Sequence, residues 1–225
     1  MASRPKFDCV CFDCDSTLTR IEGIDELARL NECEALIAPL TGLAMDGQLT
    51  LEEVYARRLD IVRPDRDALL WLSARYIDNI IPGARETIAA LYRLGKAVHV
   101  VSGGLLQPVT AVARDLGIAP SFVHAVDVIL DANGVYRGFD KTSPLTRSDG
   151  KAVICRQLAD RHRSIALVGD GVTDLAARDA GAFVVGYGGV VARERVAQSA
   201  DRYIDAPELT AVLAVLLTDD ERALL

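Results

Sequence analysis

The sequence predicts an α/β fold: a doubly wound, mostly parallel sheet with an inserted helical cap. Three observations predict it. Short apolar runs alternate with helix-length amphipathic segments along most of the chain, the pattern of βα units around a parallel sheet. Several of those runs end in acidic, serine or glycine residues, where open α/β sheets hold their ligands. Residues 19–81 carry helix patterns and no clear strand, so a block of helices interrupts the alternation. The expected division is a core of 1–18 and 82–225 with a cap of 19–81.

The chain has 225 residues, half of them hydrophobic, enough for one large core with a modest insertion. A net charge of −7 and the absence of a basic run argue against nonspecific nucleic-acid binding. No apolar signal core opens the sequence and no segment is long and apolar enough to span a membrane, so the expected compartment is the cytoplasm. Five cysteines are present. Cys9 and Cys11 have strand spacing, not a C-x-x-C zinc spacing, and read as core thiols of a reducing compartment.

The first strand is Phe7-Asp8-Cys9-Val10-Cys11-Phe12, followed by Asp13-Cys14-Asp15-Ser16-Thr17. On an extended chain Asp13 and Asp15 share one face, and Thr17 is placed to hydrogen-bond locally and fix the following turn. A calcium loop fails here: its sixth and twelfth positions need Gly and Glu, and the chain has Leu18 and Ile24. Two readings stay open at this point, a polar turn and a nucleophilic carboxylate beside an acid–base carboxylate near a divalent cation.

The cap is read as helices from Ile24 to Leu30, Ala35 to Met45 with a disturbance at Pro39, Thr50 to Val62 and Arg66 to Tyr76. Thr50-x-x-Glu53 is a capping-box pattern and Asp65 an N-cap. A helical lid after an acidic mouth would exclude water and select the substrate. Glu22 and Arg58 fall in this block. As a pair they would bind a zwitterion, Glu22 taking an ammonium and Arg58 a carboxylate through a bidentate fork.

Beyond Pro82-Gly83 a helix runs to Leu94, then Ala97 to Val101 is a buried strand ending in Ser102-Gly103-Gly104. A hydroxyl and backbone N–H groups there could hold a phosphate oxygen. His99 reads as a packed core residue, and His124 and His162 have no triad or metal spacing. A helix from Leu106 to Leu116 follows, then a strand from Phe122 to Leu130 and a hairpin through Asp131, Asn133 and Gly134 back to Phe139. Gly150 and Lys151 open a helix to about Asp160. A lysine at the positive end of a helix hints that Lys151 serves an anion. Ile165 to Val168 is a strand ending in Gly169-Asp170-Gly171-Val172-Thr173-Asp174, a second acidic pair. A helix to Ala180, a strand from Ala182 to Val185 into Gly186-Tyr187-Gly188-Gly189, a short strand at Tyr203-Ile204 and a helix from Glu208 to Leu217 complete the chain.

Four features in order, FDCDSTLT, VVSGG at Val100–Gly104, Lys151, and GDGVTD at Gly169–Asp174, resemble the haloacid dehalogenase superfamily of phosphatases over nearly the whole chain. Within it the chain is similar to phosphoserine phosphatases, through Glu22, the AMDG at Ala44–Gly47, Arg58 and VVGYGG with Arg193 downstream. The resemblance implies a magnesium-dependent phosphatase of L-phosphoserine, acting in the last step of serine biosynthesis. It implies Asp13 as nucleophile, Asp15 as acid–base, and Ser102 and Lys151 on the phosphate, beside Gly103 and Gly104. Mg²⁺ would sit on Asp13, Asp170 and the Asp15 carbonyl, with Asp174 behind them. Glu22 and Arg58 match the residues that contact the ammonium and carboxylate of serine. Met45 matches an apolar residue of the substrate pocket and Thr173 a phosphate contact at a position where some members have Asn. The expected partner is a small phosphomonoester, with no nucleic acid and no membrane, in a monomer or homodimer. The alternatives are another small phosphomonoester such as phosphoethanolamine or a phosphorylated metabolite, transfer to an alcohol acceptor, and a non-catalytic binding protein.

Overall fold

The computed structural model describes residues 6–45 and 49–225, without the side chains of Thr41, Gly42, Ala44 and Met45. Its centre is strand β1 (Cys9–Phe12), all four of whose side chains are buried. Such a strand, apolar on both faces, can only sit inside a parallel sheet covered on both sides. It pairs in parallel with β2 (Ala97–Leu105) on one side and β6 (Ile165–Gly169) on the other. With β3 (Val123–Val126), β7 (Phe183–Tyr187) and β8 (Arg202–Ile204) the sheet order is β3-β2-β1-β6-β7-β8. The strand order reverses beside β1, and Phe12 lies level with both Val100 and Val168. Residues just past these three positions therefore emerge together at the switch point, where an open sheet forms its crevice.

Helices α1 (Gly23–Leu30), α2 (Glu34–Met45), α3 (Leu51–Val62) and α4 (Arg66–Asp78) occupy the block between β1 and α5 (Ala84–Arg93). The block leaves and returns through adjacent segments: Arg20 N–H donates to Asn79 O at 2.9 Å and Ile81 N–H to Leu18 O at 3.0 Å. The capping box at Thr50 and Glu53 forms as the sequence predicts, and Asp65 caps α4. α2 runs through Pro39.

Two elements differ from the sequence reading. The strand expected over Phe122–Leu130 breaks at Asp127. Its first part is β3, and its second, β4 (Val128–Leu130), leaves the main sheet and pairs antiparallel with β5 (Tyr136–Phe139). Aspartate is a poor strand residue, and Asp127 instead accepts a hydrogen bond from Gln107 Nε2 at 2.7 Å. The hairpin buttresses the helical block, with Tyr55 against Phe139 and Arg66 N–H donating to Gly134 O at 2.9 Å. The second difference is at Ser102-Gly103-Gly104, before which the sequence reading ends the strand at Val101. β2 continues through it to Leu105 with a register shift against β3, because two residues without side chains let the strand deform. α6 (Leu106–Asp115) begins immediately after it.

Toward the C-terminus, α7 (Gly150–Ala159) precedes β6 and the short α8 (Val172–Leu175) follows it. The helix expected to reach Ala180 tightens into a 3₁₀ turn after Leu175, and the last predicted helix likewise starts as a 3₁₀ turn. Lys96, 3% exposed, binds Glu221 at 2.5 Å and the Phe7 carbonyl at 2.6 Å. Glu221→Ala leaves that buried ammonium without its counter-charge, so an unfolding free energy lower by ~3 kcal/mol is expected in urea titration. A loss below about 1 kcal/mol would show that the pair is not what anchors the C-terminal end.

Candidate active site

The mouth begins where β1 stops. The chain is not extended through Asp15, as the sequence reading assumed. Thr17, Leu18 and Thr19 N–H all donate to Cys14 O, at 3.3, 2.9 and 3.0 Å, and Ser16 is left-handed at φ 51°. A non-glycine residue held there stores strain, as functional turns often do. Thr17 Oγ1 is buried without a hydrogen-bond partner, so the turn is fixed by the backbone and not by the threonine hydroxyl. The winding separates the two acids. Both line one cavity of about 510 Å³, but they meet different partners.

Asp13 faces the second acidic pair. Its Oδ1 accepts from Cys14 N–H at 2.7 Å and its Oδ2 lies 2.6 Å from Lys151 Nζ. Lys151, the second residue of α7, also donates to Asp174 Oδ1 at 2.5 Å. Burial pulls the Lys151 ammonium down, but the carboxylates of Asp13 and Asp174 outweigh it and hold it above its ordinary range. Asp174 accepts from Gly171 N–H at 2.8 Å. A Cβ on Gly169 would lie 2.2 Å from the Asp174 carboxyl carbon, so this glycine is what lets Asp174 lie flat on the strand end. Carboxylate oxygens of Asp13, Asp170 and Asp174 fall within 4.8 Å of one another. Burial, then the charges of Asp13 and Asp174, push Asp170 up to about 8, and burial pushes Asp174 up to about 6 against the pull of Lys151. An all-oxygen cluster short of positive charge fits a hard divalent cation.

Asp15 faces the helical block. Its Oδ1 accepts from the Tyr76 hydroxyl and from Gly23 N–H. Burial and the neighbouring Glu22 hold its carboxyl well above the usual range, which favours the protonated form, the one able to donate. Ser102 is buried at the edge of the cavity and its Oγ accepts from Gly104 N–H at 3.1 Å. Gly103 O accepts from the Tyr55 hydroxyl at 2.9 Å. Thr173 also lines the cavity. The side chain of Met45 and the following Asp46-Gly47 lie outside what the structure describes.

Glu22 and Arg58 border the same cavity. Glu22 Oε1 accepts from Ser16 Oγ at 2.6 Å and lies 3.5 Å from Arg193 Nη2. Arg58 Nε is buried with no hydrogen-bond partner, an expensive state for a guanidinium N–H unless something else fills it. Sequence reasoning left three contributors without a role: Tyr55, Tyr76 and Arg193, whose Nε donates to Asp170 Oδ2 at 3.0 Å. The tyrosines sit on α3 and α4, where an aromatic reads as core, and both are also buried.

A cluster of carboxylates and a lysine at the switch point of a parallel sheet, under inserted helices, defines a phosphate-ester hydrolase of the haloacid dehalogenase type. The family model for haloacid dehalogenase-like hydrolases matches residues 7–181. Phosphoserine phosphatases from Mus musculus and Homo sapiens are 37% and 36% identical over 199 residues, 88% of this chain and 88% of each relative. A substrate-bound phosphoserine phosphatase complex superposes with a TM-score of 0.79 at 25% identity, covering 95% of this chain and 99% of that one. A phosphoserine phosphatase with a phospho-aspartyl intermediate analogue gives 0.77 at 26%, over 94% and 99%. The chain belongs to the haloacid dehalogenase-like hydrolases and, within them, to the phosphoserine phosphatase family. Among the described residues no helix is long and apolar enough to cross a membrane.

Proposed function

We propose that this protein hydrolyses L-phosphoserine to L-serine and phosphate through an aspartyl phosphate on Asp13. The observation that carries the reading is one cavity lined both by the cluster of Asp13, Lys151 and Asp170, with Asp174 bonded to Lys151, and by Glu22 and Arg58, whose Nε is buried without a hydrogen-bond partner. The family and the substrate-bound relative support it.

In the first half-reaction a carboxylate oxygen of Asp13 bonds to phosphorus as the bond from phosphorus to the serine oxygen breaks. Asp15 passes its proton to that oxygen. In the second, Asp15 takes a proton from the water that attacks the acyl phosphate, which releases phosphate and restores Asp13. Ser102 and Lys151 hold the phosphoryl oxygens, with Gly103, Gly104 and Thr173 around them, and Asp174 positions Lys151. Asp13, Asp170 and the main-chain carbonyl of Asp15 would hold Mg²⁺, which when bound offsets the repulsion between carboxylates and phosphate. Arg58 takes the substrate carboxylate and Glu22 its ammonium. Residues 19–81 act as a cap over the core of 1–18 and 82–225, excluding water from the acyl phosphate. The reaction ends serine biosynthesis in the cytoplasm, where the five free thiols stay reduced.

The test is phosphate release from a panel of phosphomonoesters, with Mg²⁺ and with EDTA. Metal-dependent release favouring L-phosphoserine is expected, and Arg58→Ala should raise its KM while leaving phosphoethanolamine turnover unchanged. A preference for phosphoethanolamine, insensitive to Arg58, would overturn the zwitterion clamp. Transfer of phosphate to added alcohols without net release would overturn hydrolysis.

The raised carboxyls give a separate test. Asp170 at about 8 and Asp174 at about 6 hold protons in the fold that the unfolded chain loses near pH 4. The folded protein binds more protons through that window, so its metal-free stability falls as pH rises from about 5 to about 8. Mg²⁺ should raise Tm more at about pH 8 than at about pH 5, where protonation competes with it. An equal shift at both would sink the cluster as the cation site.

A further inference from the structure

Away from the active site, the structure assembles residues that the sequence scatters. Cys9, His99 and His162 carry ligand atoms all within 4.8 Å of one another, a proximity that their spacing in the sequence does not show. Cys9 opens β1, His99 is the third residue of β2 beside Cys11, and His162 lies just before β6. The cluster therefore sits toward the amino-terminal end of the sheet. Cys9 is four residues before Asp13, roughly 13 Å along the strand, and period two puts Cys9, Cys11 and Asp13 on one face.

The arrangement goes beyond proximity. His99 is 6% exposed, and its Nε2 is buried without a hydrogen-bond partner. Its Nδ1 is taken, 3.1 Å from His124 Nε2. Metal-ligating histidines are built this way, with one nitrogen anchored by a polar neighbour and the other left for the ion. The ligating tautomer has Nδ1–H donating to His124. The ring of His99 is wedged edge-on against Phe122 at 4.9 Å, which limits its rotation. His162 is partly exposed and gives an ion a way in.

We propose that Cys9, His99 and His162 form a second metal site, separate from the carboxylate cluster, for a borderline-soft divalent transition ion of the zinc class. One thiolate and two imidazoles are the donor set such an ion selects over Mg²⁺. Ligand atoms within 4.8 Å of one another bracket a tetrahedral ion with bonds of about 2.0–2.3 Å, and three protein ligands leave the fourth position to water. His124 is a positioning residue, acting through His99.

The test titrates chelator-treated protein with Co²⁺ and then Zn²⁺, with excess Mg²⁺ present to occupy the carboxylates. The expected result is one Co²⁺ per chain with thiolate-to-cobalt charge-transfer absorption, which carboxylates do not give, and its displacement by Zn²⁺. Cys9→Ser should abolish that absorption and Cys11→Ser should keep it. His162→Ala, at a partly exposed position, should weaken Co²⁺ binding by at least ~100-fold, and His124→Ala by ~10–100-fold. Circular dichroism of each variant checks the fold, and His162→Ala decides the matter if Cys9→Ser does not fold. Absence of the absorption in the wild type, its loss in Cys11→Ser, or an unchanged affinity in His162→Ala would each overturn the site.

Discussion

Asp13→Asn is expected to lower kcat for phosphoserine by ~10⁴–10⁶-fold, the scale of losing a covalent nucleophile. The substitution keeps the shape of the side chain and an oxygen to accept from Cys14 N–H, which Asp13 Oδ1 does at 2.7 Å. What it removes is the second charged oxygen, 2.6 Å from Lys151, and an amide oxygen does not attack phosphorus. The wild type, quenched in acid during turnover with labelled substrate, should retain covalent phosphate that hydroxylamine releases, as acyl phosphates do, and the variant should retain none. Asp15→Asn differs in kind. Burial and Glu22 hold the Asp15 carboxyl well above the ordinary range; in the proposed mechanism it protonates the leaving oxygen, so the variant should still permit label transfer when the leaving group needs no proton, as with an aryl phosphate. Near-normal turnover in Asp13→Asn, or label retained by it, would remove Asp13 as the nucleophile.

The sequence exposed those parts of the site whose local chemistry is out of place. A run buried on both faces ending in two aspartates, and a lysine at the positive end of a helix, each break a local rule, and such breaks concentrate at functional positions. Asp13, Lys151, Asp170 and Asp174 all meet at the strand ends. The parallel sheet was legible for a similar reason: β1 and β6 are short, wholly buried runs. Residues that obey local rules stayed hidden. Tyr76 reads as an apolar position of α4 and is fully buried, yet its hydroxyl reaches Asp15. Arg193 enters the sequence reading only through the family resemblance and without a role, yet spans Asp170 and Glu22. Cys9, His99 and His162 come together only through the register of β1 with β2 and the return of the chain into β6. The sequence reading stops β2 at Val101, short of Leu105, because glycine signals a turn and a deformable strand end alike.

Lys151→Met should be the second most damaging change, and its pH dependence identifies the cause. The methionine keeps a flexible apolar stem of similar length and removes the charge that lies 2.6 Å from Asp13 and 2.5 Å from Asp174. Loss of a preorganised cation aimed at developing phosphoryl charge lowers kcat by on the order of 10²–10³-fold. Breaking one side of a buried ion pair costs ~3–5 kcal/mol of stability at neutral pH. In the wild type the Lys151 pKa is held above its ordinary value, so its stabilisation is present throughout the neutral range and is lost only as pH rises through that raised value. In the variant Asp174 loses the cation that holds its pKa down, and its folded-state pKa rises further. A raised carboxyl favours the fold at low pH and disfavours it as pH climbs through the raised value. The stability deficit relative to wild type should therefore be small at about pH 5 and larger at about pH 8, read from urea unfolding at the two values. A deficit independent of pH would mean that the lysine contributes packing and not charge. An unchanged kcat beside a pH-dependent deficit would confine it to holding Asp13 and Asp174 together in the fold.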